Sequence, residues 1–104
     1  MKKIILHTYD ELSPGMGFPS MKDYFEKSRY EGQTKIVEYL RQGHVHGACA
    51  SIPLDVYTGE VIPEEKTFKN DEKYSWVSTL AYYVERYNLR LPRDFETWVL
   101  DRAA

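Results

Sequence analysis

The spacing of apolar residues changes period along this chain, and that change limits the fold more than any single motif does. Residues 3–8 (Lys-Ile-Ile-Leu-His-Thr) are β-branched and bounded by polar groups, the make-up of a short strand. Ser20 and Asp23 predict a helix start, with Tyr24, Phe25 and Ser28 carrying it to Tyr30-Glu31-Gly32. Between Gln33 and Gln42, Ile36, Val37 and Leu40 share one stripe of a second helix, and Gly43 is placed to end it in the left-handed conformation. The middle of the chain is β. Val45 to Ile52 is a strand of small residues, and Leu54 to Ile62 is a hairpin in which Gly59 supplies a positive φ between Pro53 and Pro63. A second hairpin joins residues 66–68 to 74–76 through Asn70-Asp71-Glu72. Helical spacing then returns: Val77, Leu80, Ala81, Val84 and Tyr87 form one face, with Ser75 or Ser78 as cap and Asn88 as a left-handed end. Pro92 opens a last helix with Asp94 and Glu96 at its positive end and Phe95, Trp98 and Val99 on its buried stripe.

Strand, two helices, three or four strands, two helices is not the strict alternation of a parallel βαβ sheet. It predicts an α+β fold, a small antiparallel sheet of 3–5 strands with about four helices packed on it. At 104 residues, with 42% hydrophobic and 29% charged residues, the chain suits a single domain over 1–104 and has apolar surface enough for one core. Its lone Cys49 excludes an intramolecular disulfide framework, and the apolar run at Ile4-Ile5-Leu6 is too short for a signal peptide. No window is apolar enough to span a membrane. The cytoplasm is the expected compartment.

The candidate chemistry is sparse. His44 and His46 fall at i and i+2 of a strand, so both imidazoles can reach one metal ion. His7, Cys49 or Asp55 would have to complete the ligand shell. Cys49, between two alanines, reads as a small buried thiol rather than a nucleophile. Gly15-Met16-Gly17 lacks the third glycine and the helix start of a dinucleotide fingerprint, and no nucleophile elbow occurs. The sequence therefore calls for no cofactor. Lysines and arginines are scattered, and the formal charge is −2, which disfavours a phosphate-tracking nucleic-acid partner.

What stands out is aromatic content. The chain has nine tyrosines, of which Tyr30, Tyr39, Tyr57 and Tyr82 are candidates for exposure. Residues 55–72 also carry six acids against two lysines. Together these features predict an acidic, tyrosine-bearing contact surface formed by Asp55, Tyr57, Glu60, Glu64, Glu65, Asp71 and Tyr82, suited to another protein with a basic face. Pairing of two copies through the same aromatic rim is a further arrangement the sequence allows.

The C-terminal third carries a recognisable pattern: Trp76, then Leu80-Ala81-Tyr82-Tyr83-Val84, then Leu91-Pro92-Arg93-Asp94-Phe95. It resembles the tail of a loosely defined group of small, uncharacterised bacterial proteins, and Asp55-Val56-Tyr57-Thr58-Gly59 is similar to their acidic hairpin. The group's Asp-Gly turn before the tryptophan is replaced here by Asn70-Asp71-Glu72-Lys73. The resemblance implies no catalytic residues. It implies an accessory role of the kind filled by immunity partners or inhibitors.

The expectation is thus a non-catalytic, cytoplasmic protein-binding chain. The alternative is a metal-binding protein or metal-assisted hydrolase centred on His44 and His46.

Overall fold

The computed structural model describes residues 3–48 and 51–103, so Cys49 lies outside the described residues. Strand β1 (Ile4–Ile5) leads through a loop and one 3-10 turn (Met21–Tyr24) into helix α1 (Gln33–Gln42). Strands β2 (His44–Ala48), β3 (Thr67–Asn70) and β4 (Tyr74–Val77) follow, then helices α2 (Leu80–Tyr87) and α3 (Arg93–Ala103). The fold is α+β, as the change of period predicts.

Two details of the expectation are corrected. The sheet is mixed, with strand order β1-β4-β3-β2: β3 runs antiparallel to both neighbours, but β1 lies parallel to β4. A two-residue strand carries too little pattern to declare its direction. The described residues also form three α-helices rather than about four, because the segment after Ser20 makes only one turn. Ser20 does cap that turn, its hydroxyl accepting the Lys22 N–H at 3.2 Å. The backbone beyond it finds partners elsewhere: Arg90 N–H donates to the Tyr24 carbonyl at 2.8 Å, and Glu26 N–H donates to that of Asn88 at 3.0 Å. These bonds to a distant segment replace the intrahelical ones, and Phe25 stacks on Tyr87 with ring centroids 5.1 Å apart.

The core forms where α1 and α3 meet one face of the sheet. Tyr74 and Trp76 project from β4 against Phe95 of α3, at centroid distances of 4.9 and 6.0 Å. The Trp76 indole N–H is satisfied inside the core by the Leu40 carbonyl at 3.0 Å, as a buried tryptophan requires. Burying each of Trp76, Phe95 and Leu80 contributes ~1.5–3 kcal/mol. The predicted stripes of α1 and α2 are the buried ones, Ile36, Val37 and Leu40 on the first and Leu80, Ala81 and Val84 on the second. Helix α2 starts later than its apolar spacing suggests, because Val77 belongs to β4 and the Ser78 hydroxyl bonds the Thr67 N–H and the Glu65 carbonyl instead of capping. Asn88 ends α2 at φ 55°, as expected. No helix among the described residues is long and apolar enough to cross a membrane.

Gly43 has a different role from the one its position suggests. Its φ of −59° is open to any residue. What requires glycine is the Trp76 ring, because an added Cβ would lie 2.5 Å from its Cζ2 atom.

Overpacking of this kind costs about 2 kcal/mol. We expect Gly43→Ala to lower unfolding stability by that amount in urea. Gly47→Ala is the control: its new carbon would meet Phe68 at an ordinary 3.5 Å, so its stability should stay within about 0.5 kcal/mol of wild type.

Candidate interaction surface

The segment between β2 and β3 folds back on itself. Leu54 bridges Val61, Asp55 N–H donates to the Glu60 carbonyl at 2.8 Å, and Gly59 takes the expected positive φ of 75°. Its residues alternate as a strand does, apolar at 52, 54 and 56 and turn-forming or hydrogen-bonding at 53, 55 and 57. In a half-buried strand the apolar set ordinarily faces the core. Here the alternation is inverted: the Asp55 side chain is fully enclosed, while Ile52, Leu54, Val56 and Val61 are 71%, 51%, 46% and 64% exposed.

The inversion follows from the hydrogen bonds that Asp55 collects. Its Oδ1 accepts the backbone N–H of Tyr57 at 2.7 Å and of Thr58 at 3.2 Å. Its Oδ2 accepts the hydroxyls of Tyr82 at 2.7 Å and Tyr87 at 2.6 Å, with Arg86 Nη1 at 3.5 Å. Burial alone would raise the Asp55 pKa, but these donors together outweigh it and hold the carboxyl below its ordinary range. Tyr83, the third tyrosine that α2 turns toward the hairpin, accepts the Val56 N–H at 3.1 Å and reaches the Leu54 carbonyl at 3.4 Å. On the far side Glu11 takes the Tyr57 hydroxyl, the Ser20 hydroxyl and the Met21 N–H. Burial opposes ionisation there too, yet the donors bring the Glu11 pKa down to about 2.

A cavity of about 330 Å³ opens between this hairpin and the sheet face that the helices leave bare. Ile52, Leu54 and Val56 line it together with His7, Phe68 and Val77. His7 Nδ1 accepts the Val77 N–H at 3.2 Å, which leaves Nε2 to carry the proton, and burial lowers the His7 pKa so that the ring is neutral at pH 7.

The expected site residues separate. Glu60, Glu64 and Glu65 do lie on or beside the hairpin, but Arg86 reaches Glu60 at 3.3 Å and Arg41 reaches Glu64 at 2.8 Å. Asp55 is buried rather than offered to a partner, and the Tyr57 and Tyr82 hydroxyls are committed to carboxylates. Asp71 belongs to another part of the molecule, the β3–β4 turn, where it accepts from Tyr39, from the Trp98 indole at 3.0 Å and from the N–H groups of Lys73 and Tyr74. The expected residues therefore do not form one continuous acidic, tyrosine-bearing surface, and the large side chains exposed beside the glutamates are aliphatic.

His44 and His46 are exposed on edge strand β2, where the register slips between Val45 and Gly47. His46 Nε2 lies 3.5 Å from Ser75 Oγ. Of the three expected third ligands, Cys49 lies outside the described residues, Asp55 is enclosed by tyrosines and His7 accepts the Val77 N–H. Among the described residues no three His, Cys, Asp or Glu side chains converge as a metal site.

Ile52, Leu54, Val56 and Val61 were not among the predicted contact residues. Their alternation was visible, but its outward direction depends on tyrosines about 30 residues away. The chain matches no protein-family profile, and no curated protein or solved structure is significantly similar to it.

Removing the carboxylate leaves two hydroxyls and two N–H groups without their acceptor. Asp55→Ala should therefore cost about 3 kcal/mol in urea unfolding. Glu11 and Asp55 both have folded pKa values depressed below the ordinary 4.5 and 3.8. Their stabilisation is complete above that range and is lost as pH falls through the folded values, near 2 for Glu11. Thermal melts from pH 6 to pH 2 should show this decline, and Asp55→Asn should make it shallower.

Proposed function

We propose that this protein is a non-catalytic binding protein whose contact surface is the outward aliphatic face of the 52–62 hairpin. The inverted alternation carries the reading. Four large aliphatic side chains stand in water on a segment held in place by a saturated buried carboxylate. Exposed apolar clusters with polar edges mark interaction sites, and a hairpin already fixed in shape loses little conformational entropy when it docks. The glutamates at the edge suit a partner whose apolar contact area is bordered by lysine or arginine, and they would speed its approach. Such a surface fits the accessory role that the C-terminal pattern implies, an immunity- or inhibitor-like protein in the bacterial cytoplasm.

The Leu54→Glu/Val61→Lys double variant tests this. Both side chains are exposed, so its melting temperature should stay within a few degrees of wild type. Its capture of the partner from extracts of the source organism should fall at least tenfold, a loss expected for two central contact residues. Charge reversal at Glu60, Glu64 and Glu65 should mainly slow association and weaken its salt dependence. Undiminished capture by the double variant would refute the proposal, and sedimentation of the free protein shows whether the partner is a second copy of the chain.

A further inference from the structure

A larger groove, about 680 Å³, lies between the 3-10 turn, the loop before it and the start of α3. It shares no residue with the hairpin cavity. We propose that it binds a proline-rich segment in the extended polyproline conformation, with an acidic residue placed at Arg93.

The walls are rings. Phe18 and Tyr24 line the groove together with the pyrrolidines of Pro19 and Pro92, above the buried ring of Tyr9. Tyr9 and Tyr24 meet edge to face at 5.8 Å, and the Tyr24 side chain projects from the surface, 43% exposed. Aromatic ridges of this kind accept the flat faces of successive prolines, whose backbone is already extended before binding.

The polar groups set the ligand's chemistry. Both oxygens of Glu96 are taken, Oε1 by Arg90 Nη2 at 2.7 Å and Oε2 by Arg90 Nε and the Leu91 N–H at 3.1 and 3.0 Å. The carbonyls of Pro19, Tyr24, Arg90 and Pro92 are likewise engaged. Three of the side chains left to meet a ligand can donate to it. The Tyr24 and Thr8 hydroxyls and the Arg93 guanidinium make no side-chain hydrogen bond or ion pair among the described residues. A polyproline segment is the complementary partner, because each proline offers a carbonyl and no N–H. Charge points the same way: Glu96 neutralises Arg90, leaving Arg93 as the groove's uncompensated cation.

The floor is rigid. The Tyr9 hydroxyl donates to the Arg90 carbonyl at 2.9 Å, and the Arg90 guanidinium lies 4.1 Å above the centre of the Tyr30 ring. A preformed groove and a preformed ligand both limit the entropy lost on association.

The test is titration of the intact, ¹⁵N-labelled protein with three capped peptides of equal length: Pro-Pro-Glu-Pro-Pro, Pro-Pro-Gln-Pro-Pro and a Gly-Ser peptide carrying one Glu. The first should give saturable amide shifts at Tyr9, Tyr24, Leu91 and Arg93, with a dissociation constant of about 1 mM or tighter. Tyr24→Ala, an exposed position whose folding the same spectra check, should weaken binding roughly tenfold. Arg93→Gln should erase the preference for the Glu peptide over the Gln peptide. Absence of saturable shifts, equal binding of the Gly-Ser peptide or an affinity unchanged in Tyr24→Ala would each overturn the proposal. So would saturable binding of benzoate without the proline peptides, which would give the groove to a small organic acid. None of these readouts involves the hairpin, so this proposal and the hairpin reading fail separately.

Discussion

The structure depends on a carboxylate placed where water cannot reach it. An ionised aspartate enclosed by protein is costly unless every lone pair is occupied, and Asp55 meets that condition through two backbone N–H groups and two tyrosine hydroxyls. The geometry that satisfies it is narrow. Residues 55–58 must curl so that their N–H groups face Oδ1, and α2 must present Tyr82 and Tyr87 to Oδ2. With Asp55 turned inward, strand alternation leaves Leu54 and Val56 turned outward. The hairpin thus shows its aliphatic side to solvent because the inward position is held by a group that can find these partners nowhere else.

The same device recurs. Glu11 receives a tyrosine, a serine and a backbone N–H, and Asp71 receives Tyr39, the Trp98 indole and two backbone N–H groups. Each acid ties together segments far apart in the chain: the 10–20 loop to the hairpin, the hairpin to α2, the β3–β4 turn to α1 and α3. This accounts for the tyrosine surplus. Seven of the nine hydroxyls, those of Tyr9, Tyr30, Tyr39, Tyr57, Tyr82, Tyr83 and Tyr87, donate to a carboxylate or a backbone carbonyl. Tyrosine can pack its ring in the core and satisfy a buried acid with its tip, so it serves here where phenylalanine would leave the acid unpaired. The tyrosines are chiefly fasteners, and the side chains they leave exposed on the hairpin are aliphatic.

Much of the fold was legible in the chain. The helical stripes of α1, α2 and α3, the Gly59 turn, the β3–β4 hairpin and the left-handed Asn88 all follow from local period and backbone preference. These depend on neighbours within a few residues. The missing helix after Ser20, the parallel placement of β1 and the role of Gly43 were not legible, since each is decided by a contact with a distant segment: residues 88–90, β4 and the Trp76 ring. The candidate site was legible only in part. Residues 54–62 read correctly as a hairpin with Gly59 in its turn, but not which of its faces is buried.

By itself, then, the sequence determined the order and type of most elements and the buried stripe of each helix, because those are properties of spacing. Tertiary structure alone decided which acids face water and which are enclosed, which tyrosines are spent as donors, and that the hairpin's aliphatic side faces out. An acid and an aliphatic residue on alternate positions compete for the same interior. The outcome depends on the number of donors that folding brings to the acid, and a linear reading does not contain that number.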